Sequence, residues 1–141
     1  MPRRAKRATG QGEALLITNI ATIDIYVRDQ DVALDFYVNK LGFEVRADRP
    51  AGPYRWIEVA PAGCTTSIVL GTPAFETGSE EKVGGFTEIQ LETDDIESTH
   101  DELVKKGVNF TRVPELMFWG SWHSQFVDPD GNEYFLVQRR K

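Results

Sequence analysis

Carboxylates recur at strand-like spacing in two places, with few other chemically active groups beside them. Asp24 lies within Thr22-Ile23-Asp24-Ile25-Tyr26-Val27, and Glu88 and Glu92 lie within Glu88-Ile89-Gln90-Leu91-Glu92-Thr93. Apolar and polar residues alternate in both runs, which sets the acids on the face opposite the aliphatic side chains. Glu58, two residues after Trp56, adds a further acid. Oxygen-rich groups of this kind suit Mg²⁺, Mn²⁺ or Ca²⁺ better than zinc, or the positive end of an organic ligand. Each acid also reads as a solvated or salt-bridged residue on a sheet surface.

The chain has two histidines. His100 stands at helical spacing from Ile96 and Leu103 and reads as a half-buried packing residue. His123 lies between Trp122 and Ser124 in a predicted strand, where either Trp122 or His123 faces a ligand. A neutral histidine beside a carboxylate can act as a general base near pH 7, which makes His123 the candidate catalytic residue. Its plainer reading is a surface or interface histidine. Cys64, the only cysteine, follows the Gly63 turn with no activating base and is given no nucleophilic role. Serine triads, phosphate loops and dinucleotide fingerprints are missing from the sequence.

Aromatic residues supply the other candidate surface. Leu116-Met117-Phe118-Trp119-Gly120-Ser121-Trp122 is unusually apolar for a segment that enters a strand. A flexible methionine and two indoles suit a lid over a planar ligand. Tyr54 and Trp56 stand at the corresponding place in the first half of the chain. These residues equally read as core or dimer-interface packing. The candidate ligand-binding set is Asp24, Tyr26, Trp56, Glu88, Gln90, Trp119 and Trp122.

The elements that position these residues come twice. The alternating run 19–28 is followed by a helix over 30–41, capped by Asp29 and stopped by Gly42, with Val32, Phe36, Tyr37 and Val38 on its apolar side. Strands are predicted over 43–46, 55–60 and 66–70. The run 86–93 is followed by a helix over 96–106, capped by Asp94 or Asp95, then by strands 108–112, 122–127 and 134–138. Pro61-Ala62-Gly63 and Asp128-Pro129-Asp130-Gly131-Asn132 are turn signals. Two copies of one strand–helix–strands unit imply pseudo-symmetry. Residues 1–16 read as a disordered arm, 17–72 as module one, 73–84 as a linker and 85–138 as module two, within one domain over 17–141.

The chain has 141 residues and a net charge of −6. The first twelve residues carry four cations and no acid, and residues 139–141 carry three more, which leaves −13 for residues 13–138. That balance argues against nucleic acid as the main partner. With one cysteine, no apolar stretch of membrane-spanning length and no secretory signal, the expectation is a cytoplasmic protein without a membrane partner.

Taken in order, the βαβββ repeat, Phe36-Tyr37 before Leu41-Gly42-Phe43, Gly84-Gly85-Phe86, Thr93-Asp94-Asp95 and Asp128-Pro129-Asp130-Gly131-Asn132 resemble the vicinal oxygen chelate superfamily. That superfamily includes glyoxalase I, extradiol dioxygenases and bleomycin-resistance proteins, and the resemblance covers about 19–138. It implies an α+β fold of two tandem βαβββ modules whose curved mixed sheets form a cup, and a homodimer. Catalytic members hold a divalent metal with side chains that correspond to Thr22, Val69, Glu88 and Phe135. Only Glu88 of these four is a good ligand. The resemblance therefore implies metal-independent binding of a small, cationic, aromatic molecule, with no cofactor favoured. Two alternatives stand beside it. One is a metal-dependent lyase, isomerase or dioxygenase with a relocated site at Glu88 and Asp24, assisted by His123. The other is a regulatory or partner-binding module.

Overall fold

The structure is a computed structural model and describes residues 14–73 and 80–139. Most of the expected arm, and residues 74–79 of the expected linker, lie outside the described residues. The chain runs β1 (Thr22–Tyr26), α1 (Gln30–Leu34), a π-helical segment (Asp35–Lys40), β2 (Glu44–Ala51), β3 (Tyr54–Ala60) and β4 (Ser67–Gly71). After a 3-10 turn (Glu80–Lys82) come β5 (Gly85–Glu92), α2 (Ile96–Lys105), β6 (Asn109–Leu116), β7 (Trp122–Val127) and β8 (Asn132–Gln138). Sheet one has the order β1-β4-β3-β2 and sheet two the order β5-β8-β7-β6. In each, the first and last strands of the module pair in parallel and the other pairs are antiparallel. These are the two curved βαβββ modules implied by the repeat.

Local chemistry accounts for the helix boundaries. The Asp29 carboxylate accepts from the backbone N–H groups of Asp31 (2.9 Å) and Val32 (3.1 Å), donors that the first helical turn leaves without partners. Asp95, not Asp94, caps α2 by accepting from Ser98 N–H at 3.1 Å. The first helix departs from an uninterrupted α-helix after Leu34. Leu41 N–H donates to the Phe36 carbonyl at 3.0 Å, five residues back. The wider turn buries the consecutive rings of Phe36 and Tyr37 together, while Val32, expected on the apolar side, is 49% exposed. The observed β2 and β6 each span eight residues and so outrun the predicted 43–46 and 108–112.

One hydrophobic cluster joins both modules. It takes Ile25, Ile57, Val59, Ile68 and Leu70 from sheet one, Phe36 and Tyr37 from the first helix, and Ile96, Leu103, Phe126, Tyr134 and Leu136 from module two. A buried polar knot sits inside it. The Tyr37 hydroxyl lies 2.7 Å from Asp128 Oδ2 and 2.6 Å from the Tyr134 hydroxyl. Asn132 Nδ2 donates to Asp128 Oδ2 (2.8 Å) and to the Tyr26 carbonyl (3.0 Å), and Asn132 Oδ1 accepts from Gly84 N–H (2.8 Å). Every member has partners, which is what makes such a group tolerable in a core. The knot fixes the end of β1 against the start of β5.

Candidate functional site

The core takes one face of each sheet and leaves the other for function. On β7, Ser124 and Phe126 are buried against the core, so His123 and Gln125 project from the opposite face. On β8, Tyr134 and Leu136 point into the core, and Glu133 and Phe135 project with His123. This resolves the parity left open by the sequence. Trp122 lies on the core side and packs against the cluster, so it leaves the expected ligand-binding set.

The outward face of sheet two carries a continuous row of rings. Phe118 meets Trp119 with centroids 4.7 Å apart, Trp119 meets His123 at 5.3 Å, His123 meets Phe135 at 5.4 Å, and Phe135 meets Phe86 at 4.8 Å. All four contacts are edge-to-face, the geometry that ring quadrupoles favour. Phe118 is 96% exposed, Trp119 56% and Phe86 47%. Trp119 is braced by its indole N–H, which donates to Ser121 Oγ at 2.7 Å. Partial burial and then the charge of Arg112 hold His123 below the usual imidazole range, so it is neutral at pH 7.

Strand register places matched rows on the two outward faces. On sheet one, Val69 lies between Asp24 of β1 and Glu58 of β3. On sheet two, Phe135 lies between Gln90 of β5 and Gln125 of β7. The first row is an aliphatic residue flanked by acids, and the second an aromatic flanked by carboxamides. Glu58 Oε2 accepts from the Trp56 indole N–H at 2.8 Å. The side chains of Asp24, Gln90, His123 and Gln125 have no hydrogen-bond partner among the described residues.

An open groove of about 570 Å³ runs between the free edges of β1 and β5. Thr22, Asp24, Tyr26, Lys82, Phe86, Thr87 and Asn132 line it. The Tyr26 ring covers Gly71, and the Lys82 ammonium stands 5.6 Å from its centroid, within cation–π range. The groove collects Asp24 and Tyr26 from the expected set and meets the aromatic row at Phe86. Trp56, Gln90 and Trp119 lie outside its lining.

Glu88 keeps the exposed side of β5 but departs from extended strand geometry. Between the pairs Phe86–Glu133 and Gln90–Phe135, β5 has three residues and β8 has one. Glu88 sits in this bulge at φ 64°, a left-handed conformation that costs a side-chain-bearing residue on the order of 1–2 kcal/mol. Thr87 steadies it, its hydroxyl donating to the Glu133 carbonyl at 2.8 Å and accepting from Ile89 N–H at 3.1 Å. The matching strand β1 has unbroken register.

The donor set does not fit a divalent metal. The four positions implied by the resemblance hold a hydroxyl, a carboxylate and two hydrocarbon side chains. Among the described residues, no three His, Cys, Asp or Glu side chains converge on one point. An open catalytic site needs about three such ligands. Glu58, the nearest acid to Asp24 across the sheet, is engaged by Trp56.

His100 packs edge-to-face on Phe110 at 4.5 Å, the packing role read for it from helical spacing. Sequence reasoning passed over Phe86 and Gln125 and treated Phe135 only as a failed metal ligand. The period-two spacing of His123 and Gln125 was the available signal, once parity was known. No helix among the described residues is long and apolar enough to cross a membrane.

Comparison with known proteins gives concordant matches. The family model described as Glyoxalase/Bleomycin resistance protein/Dioxygenase superfamily matches residues 19–134. The uncharacterized protein YetH of Bacillus subtilis (strain 168) is 39% identical over 124 residues, 87% of this chain and 100% of its own. A superfamily member from Sphaerobacter thermophilus superposes with a TM-score of 0.84 at 43% identity, over 88% of this chain and 99% of that one. TnmS3, an antibiotic binding protein from Streptomyces sp. CB03234, superposes with a TM-score of 0.72 at 35% identity, over 89% and 99%.

Proposed function

We propose that this chain, which belongs to the Glyoxalase/Bleomycin resistance protein/Dioxygenase superfamily, is a homodimeric binding protein that takes up a flat aromatic molecule on sheet two without a metal. The observation that carries this reading is the ring row from Phe118 to Phe86, exposed at both ends and open to solvent. A flat ligand gains area burial and ring contact there at little conformational cost, because the rings already brace one another. The antibiotic-binding relative TnmS3 supports this choice over catalysis. So does the chemistry of the four positions Thr22, Val69, Glu88 and Phe135, of which only Glu88 is a good metal ligand. Of the carboxylates read from the sequence as a cation-binding lining, Asp24 and Glu58 lie on sheet one and Glu88 and Glu92 on β5 of sheet two. The sheet-one pair shares a cup with sheet two only where the sheets meet, at the groove or across a dimer. The unpaired edges of β1 and β5, with Ile23 and Phe86 exposed along them, are the surfaces a second copy would join. One unpaired cysteine suits a cytoplasmic setting.

Titration of the protein with a panel of tricyclic aromatic dyes, followed by calorimetry, tests the reading. Trp119→Leu and Phe135→Leu should each weaken dye binding by about tenfold, since one lost ring contact is worth about 1–1.5 kcal/mol. Binding that is unchanged in both variants removes the row from the site.

A partner-binding module remains a second reading, favoured by one observation. Leu15, Leu16, Ile17 and Ile20 form an exposed aliphatic run just before β1, and Leu16 is 97% exposed. A run of this kind marks a surface that another chain covers.

A further inference from the structure

The outward face of sheet two holds two kinds of group. Besides the rings, it carries three polar side chains that make no hydrogen bond among the described residues: Gln90, Gln125 and His123. Gln90 and Gln125 are the cross-strand neighbours of Phe135 on its two sides. His123 is in ring contact with Phe135 at 5.4 Å. A donor–acceptor amide therefore stands on each side of one aromatic residue, with an imidazole beside it. Of the acids around this patch, Glu92 is paired with Arg139 at 3.2 Å, and Glu88, in the β5 bulge, is unpaired among the described residues. Glu115, opposite His123 on β6, is paired with Arg112 at 2.7 Å, and the Glu133 carboxylate accepts from the Thr111 hydroxyl.

We propose that this patch recognises an uncharged, planar heteroaromatic molecule whose rim carries both hydrogen-bond donors and acceptors, such as adjacent ring N–H and carbonyl groups. The inference rests on the binding reading above and specifies the ligand class for the same site. Phe135 and its ring neighbours take the flat face, and Gln90, Gln125 and His123 take the rim. A carboxamide offers a carbonyl acceptor and two N–H donors and carries no charge, so it matches mixed rims and pays no ion-desolvation penalty. A cationic aromatic ligand would meet one unpaired carboxylate near this patch, that of Glu88 in the β5 bulge. The amides of Gln90 and Gln125, which flank Phe135 directly, offer such a charge no counter-ion. A site built to hydrogen-bond a ligand rim rejects analogues without one far more strongly than a purely apolar surface does, because its own polar groups are then left unmatched.

The test compares lumichrome, a neutral tricycle with a mixed rim, with proflavin, a cationic tricycle of similar area. Affinities are read by calorimetry on the full chain at pH 7.5. Lumichrome should bind at least tenfold more tightly than proflavin. Gln125→Leu and Gln90→Leu should each weaken lumichrome by about five- to tenfold and leave proflavin unchanged, one hydrogen bond being worth about that factor. Gln125→Glu, which keeps shape but adds charge, should reverse the preference. Tighter binding of proflavin, or lumichrome binding insensitive to both glutamine changes, overturns the ligand class and leaves the aromatic binding reading standing. Failure of both dyes to bind, in a native chain with an unaltered melting transition, overturns both.

Discussion

His123 is held between two rings, and its protonation state governs what the row offers. Burial and Arg112 favour the neutral imidazole in the folded chain. The folded pKa is therefore depressed below the unfolded value near 6.5, and any stability linked to it is present above that pH and lost as pH falls. A protonated imidazole quenches a neighbouring indole, and Trp119 stands 5.3 Å away. Tryptophan fluorescence should therefore drop on acidification with a midpoint below pH 6.5, and the step should vanish in His123→Gln. A midpoint at or above that value would mean that the ring is not held as described. The sequence disclosed His123 as a candidate but not its direction, because a strand's parity is settled only by knowing which neighbours the core takes. Ser124 and Phe126, once seen to be buried, settle it. The backbone conformation of Glu88 was hidden for a different reason. The bulge that turns it to positive φ depends on how β5 aligns with β8, a pairing about 45 residues apart that no local pattern encodes.

Glycines at element boundaries were legible, and their roles differ in a way that can be measured. Gly84 has φ 83°, and a Cβ built on it would lie 3.0 Å from the Asp130 backbone carbonyl oxygen. Its N–H also donates to Asn132, which in turn binds the Tyr26 carbonyl. Gly52, in the turn between β2 and β3, has φ 63° and open space around it. Gly52→Ala should lose about 1 kcal/mol, the conformational term alone, and Gly84→Ala about 2 kcal/mol or more. Urea unfolding of the two variants gives the comparison. Equal losses would show that the contact at Asp130 yields freely and that the knot does not fix the β1–β5 junction. Caps and turns were readable because they rest on short-range chemistry at Asp29, Asp95 and Asp128–Asn132. The π-helical segment was not, since Phe36 and Tyr37 are drawn into it by Phe126, Tyr134 and Asp128 from the other module.

At the scale of the molecule, three surfaces are left for other partners: the free edges of β1 and β5, the ring row, and the aliphatic run Leu15–Ile20. The acidic body and the basic first twelve residues have opposite charge, so attraction between them acts over roughly the 8 Å Debye length at physiological salt. If the binding reading holds, the run and the arm are accessory to a site that β5, β7 and β8 already complete. A chain lacking residues 1–16 should then sediment as a dimer, at twice the 15.9 kDa of the full chain less the arm, and should bind the same dye with unchanged affinity. A stable dimer buries on the order of 1,200–2,000 Å² in total, more than a short arm alone supplies, so the sheet edges must provide most of the contact. Dissociation to monomers on truncation would place the arm in the interface. Loss of dye binding without dissociation would place it over the ring row. Either result would make residues 1–16 part of the functional unit and turn the partner-binding reading from second to first.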